Sequence, residues 1–149
     1  MQIRKMTHED LPSANALCLE SFMLAVAPLV SDQGVETFTK IAAQEALAER
    51  MAGDNLTLVC IVEGTLAGLV ELKEGRHVAM LFVAPAWQRR GIGKLLMNSA
   101  LEQARANVVT VRASLSSVAA YESYGFALAG AVGEVAGLIY QPMEKRLSS

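Results

Sequence analysis

The stretch that decides the fold is Leu81-Phe82-Val83-Ala84-Pro85-Ala86-Trp87-Gln88-Arg89-Arg90-Gly91-Ile92-Gly93-Lys94-Leu95-Leu96. It opens apolar and β-prone, Pro85 interrupts it, and two glycines then lead into a helix-like run. Glycine lets main-chain N–H groups come close to an anion. A helix start adds unpaired donors at the positive end of the helix dipole. Arg89, Arg90 and Lys94 add full charges. The segment reads as strand, turn and helix start suited to a pyrophosphate, or else as a tight strand-to-helix turn with solvated arginines. Two rival phosphate patterns do not fit. A P-loop needs Gly where this chain has Gln88 and Ser or Thr where it has Leu95. A dinucleotide fingerprint needs a small residue where it has Leu96.

Downstream, Gly91 to Ala106 has helical spacing, with Ile92, Leu95, Leu96 and Ser99 on one stripe and Met97, Ala100, Leu101 and Ala104 on a second. Lys94, Asn98, Glu102 and Arg105 take the wet side. Val108 to Ala113 reads as a strand, Ser116 to Tyr124 as a short helix, and Phe126 and Leu138 to Met143 as two late strands. Strand–helix–strand favours a parallel crossover. Upstream, Leu56 to Val62, Leu66 to Leu72 and His77 to Val83 form an antiparallel meander, punctuated by Glu63-Gly64-Thr65 and Lys73-Glu74-Gly75. Gln2 to Met6 alternates as a short strand. Thr7, with Asp10 three residues on, marks a helix start. Leu11 to Ala27 is helical until Pro28, and a second helix is expected from Gln33 to Met51, stopped by Gly53. The expected class is a mixed α/β fold.

Composition bounds the function. At 149 residues the chain is about one domain's worth, taken as residues 1–149. With 52% hydrophobic and 19% charged residues it can bury a core without disulfides or metal. The formal net charge of -2 argues against a nucleic-acid binder, though a local basic patch can hide in a near-neutral total. Cys18 and Cys60 stand alone, outside any Cys-x-x-Cys, so no zinc or disulfide framework is expected and two reduced thiols are. No apolar segment follows the charged N-terminus, and the runs from Phe22 and from Val78 are broken by Pro28 and Pro85. A soluble, cytoplasmic protein with no membrane partner is expected.

Gln88-Arg89-Arg90-Gly91-Ile92-Gly93 resembles the Q/R-x-x-G-x-G/A pattern of the GNAT superfamily of N-acetyltransferases. A second stretch, Ala113-Ser114-Leu115-Ser116-Ser117-Val118-Ala119-Ala120-Tyr121-Glu122-Ser123-Tyr124-Gly125-Phe126, looks like that family's later motif, a short helix ending in Y-E-x-x-G-F. Ile139-Tyr140-Gln141-Pro142-Met143-Glu144-Lys145 resembles its closing strand. The two motifs stand in the family's order and spacing, and the resemblance is strongest from Leu56 onward. It implies a GNAT-like, largely antiparallel sheet of about six to seven strands, splayed around the strand before Pro85, with about four helices.

The resemblance also implies a chemistry. Main-chain N–H groups of Gln88, Arg89, Arg90, Gly91, Ile92, Gly93 and Lys94 would cradle the pyrophosphate of coenzyme A, with Arg89 or Arg90 adding a charge-assisted contact. The backbone of Leu81, Phe82 and Val83 would pair with the pantetheine arm and hold the acetyl carbonyl. Tyr121 holds the place of the general acid that protonates the leaving thiolate. Tyr124 is the competitor, but its place before Gly125-Phe126 suits packing. Ser114, Ser116 and Ser117 depart from a stretch that often holds Asn and Ala; Ser114 and Ser116 are the expected coenzyme A contacts, and because Ser116 stands where Asn is usual, its hydrogen bond is lost or made by a shorter group. Transfer would run directly from acetyl-CoA to a primary amine of a small molecule, with no metal and no covalent enzyme intermediate. The alternatives are an acyl-CoA sensor without turnover and an enzyme acting on a protein amine.

The general base is less legible. Glu71 alternates with Leu69 and Lys73 and is either a site residue or an edge-of-sheet surface carboxylate. His77 starts a strand and is more simply solvated. Glu20, Asp32, Glu36 and Glu45 could attract a cationic amine or merely form wet helix faces. Phe22, Met23 and Phe38 suit an apolar pocket or a core. The C-terminal strands offer an edge through which a homodimer could form, which sedimentation equilibrium would test.

Overall fold

The computed structural model describes residues 1–147. Strands β1 (Gln2–Lys5), β2 (Asn55–Val62), β3 (Thr65–Lys73), β4 (His77–Val83), β5 (Val108–Ala113), β6 (Ala127–Leu128), β7 (Gly133–Val135) and β8 (Leu138–Arg146) build one sheet. Its order is β1-β2-β3-β4-β5-β8-β6, with β7 paired to β8. Every pairing is antiparallel except β4 with β5. The helices are α1 (Leu11–Ala25), α2 (Asp32–Ile41), α3 (Gln44–Met51), α4 (Ile92–Leu101) and α5 (Val118–Ser123). This is the mixed, mainly antiparallel α/β architecture expected, with eight strands and five α-helices among the described residues.

The sheet is covered on both faces, which explains why β2 and β3 read as near-continuous apolar runs. On one face Leu58, Val70, Leu72, Val78, Val109 and Val111 pack with Ile92, Leu96, Met97 and Ala100 of α4 and with Tyr121 and Phe126. On the other, Val59, Leu69 and Met80 pack with Leu17, Cys18 and Phe22 of α1, Phe38 of α2 and Leu47 of α3. Both cysteines are buried and free. The β2–β3 hairpin turns through Glu63 and Gly64 with φ of 51° and 76°, the paired left-handed conformation of a tight hairpin.

Three departures from the sequence expectation have an identifiable cause. The helix expected over Gln33 to Met51 is two helices, because Ala43 is extended at ψ 146° and Asn15 of α1 captures the freed Ala42 carbonyl at 2.7 Å. Alanine's helix preference hides that break, and a tertiary contact overrides it. Helix α4 stops at Leu101, short of Ala106. Beyond it the Arg105 N–H docks on the Gly75 carbonyl at 2.8 Å, and its guanidinium pairs with Asp54 at 2.6 Å. Two late strands become three, because Ala136 and Gly137, both at positive φ, fold β7 back on β8.

The expected helix start at Thr7 is present. The Asp10 carboxylate accepts from the Thr7 N–H at 2.8 Å and takes a bidentate pair from Arg4 at 2.7 and 3.0 Å. The Arg4 bond, with Thr7 assisting, holds the Asp10 carboxyl down at about 2, below its ordinary 3.8. A depressed carboxyl stabilises the fold above its unfolded value and loses that contribution as pH falls through the folded value. Asp10→Ala is therefore expected to cost about 1–2 kcal/mol at neutral pH. In urea unfolding the gap from wild type should close as pH falls from 4 toward 2.

Candidate active site

Strands β4 and β5 pair only at His77↔Thr110 and Val78↔Val111. The β3–β4 register steps from Glu71↔Met80 to Leu72↔Val78, leaving Ala79 as an extra residue. A bulge bends its strand, and here pairing with β5 ends at the residue before it. The Ala84 N–H bonds the Ala67 carbonyl of β3 at 2.8 Å. By strand alternation, Leu81 and Val83 then turn their main-chain groups away from β3, into the gap. Gln88 Nε2 donates to the Val83 carbonyl there at 3.2 Å.

The gap continues into a cleft of about 1180 Å³. One wall is the start of α4. Gly91 caps it at φ 80°, and the first main-chain bond within the helix runs from the Leu95 N–H to the Gly91 carbonyl at 3.1 Å. The N–H groups of Gly91, Ile92, Gly93 and Lys94 thus lack intrahelical acceptors. A Cβ on Gly93 would strike the Tyr124 hydroxyl, so the closest approach to that wall depends on glycine. Arg89 takes φ 64°, rare for a residue with a side chain. It lines the cleft with Lys94, whereas Arg90 stacks over the Trp87 ring at 5.0 Å and does not. Of the two arginines, Arg89 is the one placed for an anion.

The facing wall holds Ser114, Ser116, Ser117, Tyr121 and Tyr124. Ser114 Oγ lies 2.8 Å from Ser117 Oγ and 3.3 Å from Ser116 Oγ, so these hydroxyls satisfy one another around the turn before α5. Tyr121 is buried, edge-on to Tyr124 and Phe126 with centroids 6.0 and 5.6 Å away. Burial, and then the neighbouring Tyr124, pushes its hydroxyl above its ordinary range. It stays protonated at neutral pH and can only give a proton. Tyr124 packs as expected, and it also lines the cleft.

The far end lies on the α1–α3 face. Glu71 is 1% exposed, in the interior of the sheet, which removes the edge-surface reading. Arg50 Nε donates to its Oε2 at 2.8 Å. Phe22 and Phe38 stack at 4.1 Å beside it and Phe82 meets Phe38 edge-on, whereas Met23 is exposed and off the cleft. Glu20, Asp32, Glu36 and Glu45 are exposed and line no part of it, so they do not attract an amine there. His77 is half-buried, its Nδ1 2.8 Å from Thr110 Oγ1. Burial, with Arg112, Lys73 and Arg76, holds its pKa below the ordinary value.

Every expected site residue except Arg90 therefore meets at one cleft: Glu71, Leu81, Phe82, Val83, Gln88, Arg89, Gly91, Ile92, Gly93, Lys94, Ser114, Ser116 and Tyr121. Sequence reading missed Ser21, Arg50, Asn55, Arg112 and Tyr140. Arg50 reaches Glu71 across 21 residues and leaves no local pattern. Arg112 was findable, since it alternates with buried Val111 and Ala113 along β5.

A family model described as an acetyltransferase (GNAT) domain matches residues 26–147. A GCN5-related N-acetyltransferase structure from Rhodopseudomonas palustris superposes with a TM-score of 0.86 at 24% identity, over 98% of this chain and 95% of that one. The PaiA N-acetyltransferase of Thermoplasma acidophilum, solved with coenzyme A, gives 0.82 at 24% identity over 97% and 98%. These two show a shared fold. Peptidyl-lysine N-acetyltransferase YiaC of Escherichia coli is 57% identical over 35 residues, so this chain is matched over only 24% of that relative's length. No helix among the described residues is long and apolar enough to cross a membrane. With the family model spanning most of the chain, and the splayed strands and helix-start cradle of that fold in place, the chain belongs to the GNAT family of N-acetyltransferases.

Proposed function

We propose that this protein transfers the acetyl group of acetyl-CoA directly to a primary amine of a small molecule. The observation that carries this is the continuity of the cleft. An anion cradle at α4, an unpaired strand edge on β4, a buried tyrosine and a buried carboxylate all line it. The N–H groups at Gly91 to Lys94, with Arg89, bind the pyrophosphate of the substrate, and the main chain of Leu81 and Val83 pairs with its pantetheine amides. The incoming amine gives a proton to Glu71, directly or through water, and its nitrogen bonds to the acetyl carbon. The carbon–sulfur bond breaks, and Tyr121 passes its proton to the departing thiolate. A neutral phenol can also hydrogen-bond the developing charge without carrying any of its own.

A small acceptor is favoured by how the far end is closed. Thr37 of α2 donates to the Ala136 carbonyl at the β7–β8 tip at 2.7 Å, and Gly34 packs directly on Gly137. Helix and hairpin are thereby joined beside the acceptor end, which narrows access for a folded protein surface. The 35-residue likeness to a peptidyl-lysine acetyltransferase supports a second reading, a lysine side chain on a protein. Thiol release from acetyl-CoA, measured against free amines and lysine-containing peptides side by side, decides between them. Turnover of free amines at kcat/KM at least equal to that of peptides is expected, and turnover confined to peptides moves the assignment to the second reading.

A further inference from the structure

The charge at the acceptor end narrows the kind of amine. Register places Asn55 beside Lys73, Lys73 beside His77, and His77 beside Thr110. Residues opposite one another in a ladder share a face, and Arg112, two residues past Thr110, returns to it. Lys73, His77 and Arg112 all line the cleft, and the Arg112 guanidinium lies 4.8 Å over the Tyr140 ring at its rim. Neither Lys73 nor Arg112 is ion-paired among the described residues. Glu71 is the one carboxylate lining the cleft among those residues. Glu144, opposite Thr110 on β8, and Glu74, paired with Arg76 at 2.6 Å, lie outside it.

Beneath this cationic shelf, four buried polar atoms have no hydrogen-bond partner: Ser21 Oγ, Arg50 Nη2, Asn55 Oδ1 and Glu71 Oε1. All four residues line the cleft, and Ser21 and Glu71 are 5% and 1% exposed. Buried polar groups in folded proteins are nearly always satisfied. Unsatisfied ones carried by residues that line a single cavity therefore mark a place for a polar ligand. The set holds a free carboxylate oxygen for an ammonium group, with unpaired Arg112 on β5 and unpaired Lys73 two residues along the strand of Glu71. Side chains at that spacing stand about 7 Å apart, a span that a short aminocarboxylate bridges.

We propose that the acceptor is a primary amine that also bears a carboxylate, its ammonium group received by the free oxygen of Glu71 and its carboxylate by Lys73 and Arg112. This rests on the acetyltransferase reading above and specifies its substrate class. A diamine or an aminoglycoside would bring several positive charges to a site with one carboxylate, already shared with Arg50, and two further cations, Lys73 and Arg112. Such like-charge meetings select against the wrong partner.

The test pairs binding with turnover. Acetyl-CoA binding is measured first by calorimetry. Thiol release is then followed with glycine, β-alanine and γ-aminobutyrate, with their carboxamides, and with putrescine. At least one aminocarboxylate should exceed its carboxamide in kcat/KM by about tenfold or more, mainly through KM, and putrescine should be the poorest acceptor. Lys73→Ala and Arg112→Ala, both at exposed positions, should reduce that carboxylate-to-carboxamide ratio, and Arg112→Lys should restore part of it. Carboxamides equal to carboxylates, or putrescine preferred, would overturn the proposal. So would acetyl-CoA binding with no aminocarboxylate bound or turned over, and in that case the acetyltransferase reading stands. Absence of acetyl-CoA binding defeats that reading itself, and the narrower inference with it.

Discussion

Replacing Tyr121 with Phe is expected to lower kcat by roughly 100-fold while the Kd for acetyl-CoA moves by less than about threefold. The ring is buried and held edge-on by Tyr124 and Phe126, so Phe keeps the packing and removes one hydroxyl. The change therefore falls on proton delivery to the departing thiolate. Because burial raises the hydroxyl above its ordinary value of 10, the wild-type kcat should show no alkaline decline from this group before that pH. Stopped-flow thiol release and equilibrium binding on the same preparation separate the two quantities. A kcat within about twofold of wild type would remove Tyr121 from the chemistry and leave Tyr124 as the candidate donor. Tight acetyl-CoA binding with no turnover of any amine by the wild type would favour the sensor reading.

Gly93→Val should abolish measurable acetyl-CoA binding, a loss of roughly 100-fold or more, about 2.7 kcal/mol. Gly93 is buried in the first turn of α4, and a Cβ there meets the Tyr124 hydroxyl with Val83 Cγ2 at 3.8 Å behind it. The ring of Tyr124 ends on this glycine and cannot yield without disturbing Tyr121. Helix propensity works the other way, since glycine costs a helix interior up to about 1 kcal/mol relative to alanine. Thermal unfolding, run beside the titration, separates loss of ligand from the cost of the buried clash, about 1–3 kcal/mol, and Gly93→Ala should be intermediate in both. Wild-type affinity in Gly93→Val would mean that the pyrophosphate binds elsewhere.

The sequence made most of this site legible because its chemistry is local. The turn glycines, Arg89 and Tyr121 sit within two short stretches, and their order implied how the sheet brings them together. Period-2 alternation put Glu71 on one face with Leu69 and Lys73, which the register supports. What stayed hidden is tertiary. The break at Ala43 depends on Asn15 reaching a carbonyl 27 residues away. The pairing of Arg50 with Glu71 joins a helix to a strand, and neither residue marks the other in sequence. The bulge at Ala79 is a register step between two strands, and a run of apolar residues carries no sign of it. The acidic residues of α1 to α3 suggested a cation-attracting surface, but they face outward, and the acceptor end of the cleft takes its charge from Arg50 of α3 and from strands β3 and β5.

The central claim is that the cradle at the start of α4 and the unpaired edge of β4 together bind acetyl-CoA. Calorimetric titration of the purified protein with acetyl-CoA tests it most directly, with desulfo-coenzyme A and ATP as controls. The account predicts saturable one-to-one binding of acetyl-CoA and of desulfo-coenzyme A, little heat with ATP, which lacks the pantetheine arm, and no binding in Gly93→Val. No heat of binding at millimolar acetyl-CoA, or equal affinity for ATP, would contradict it.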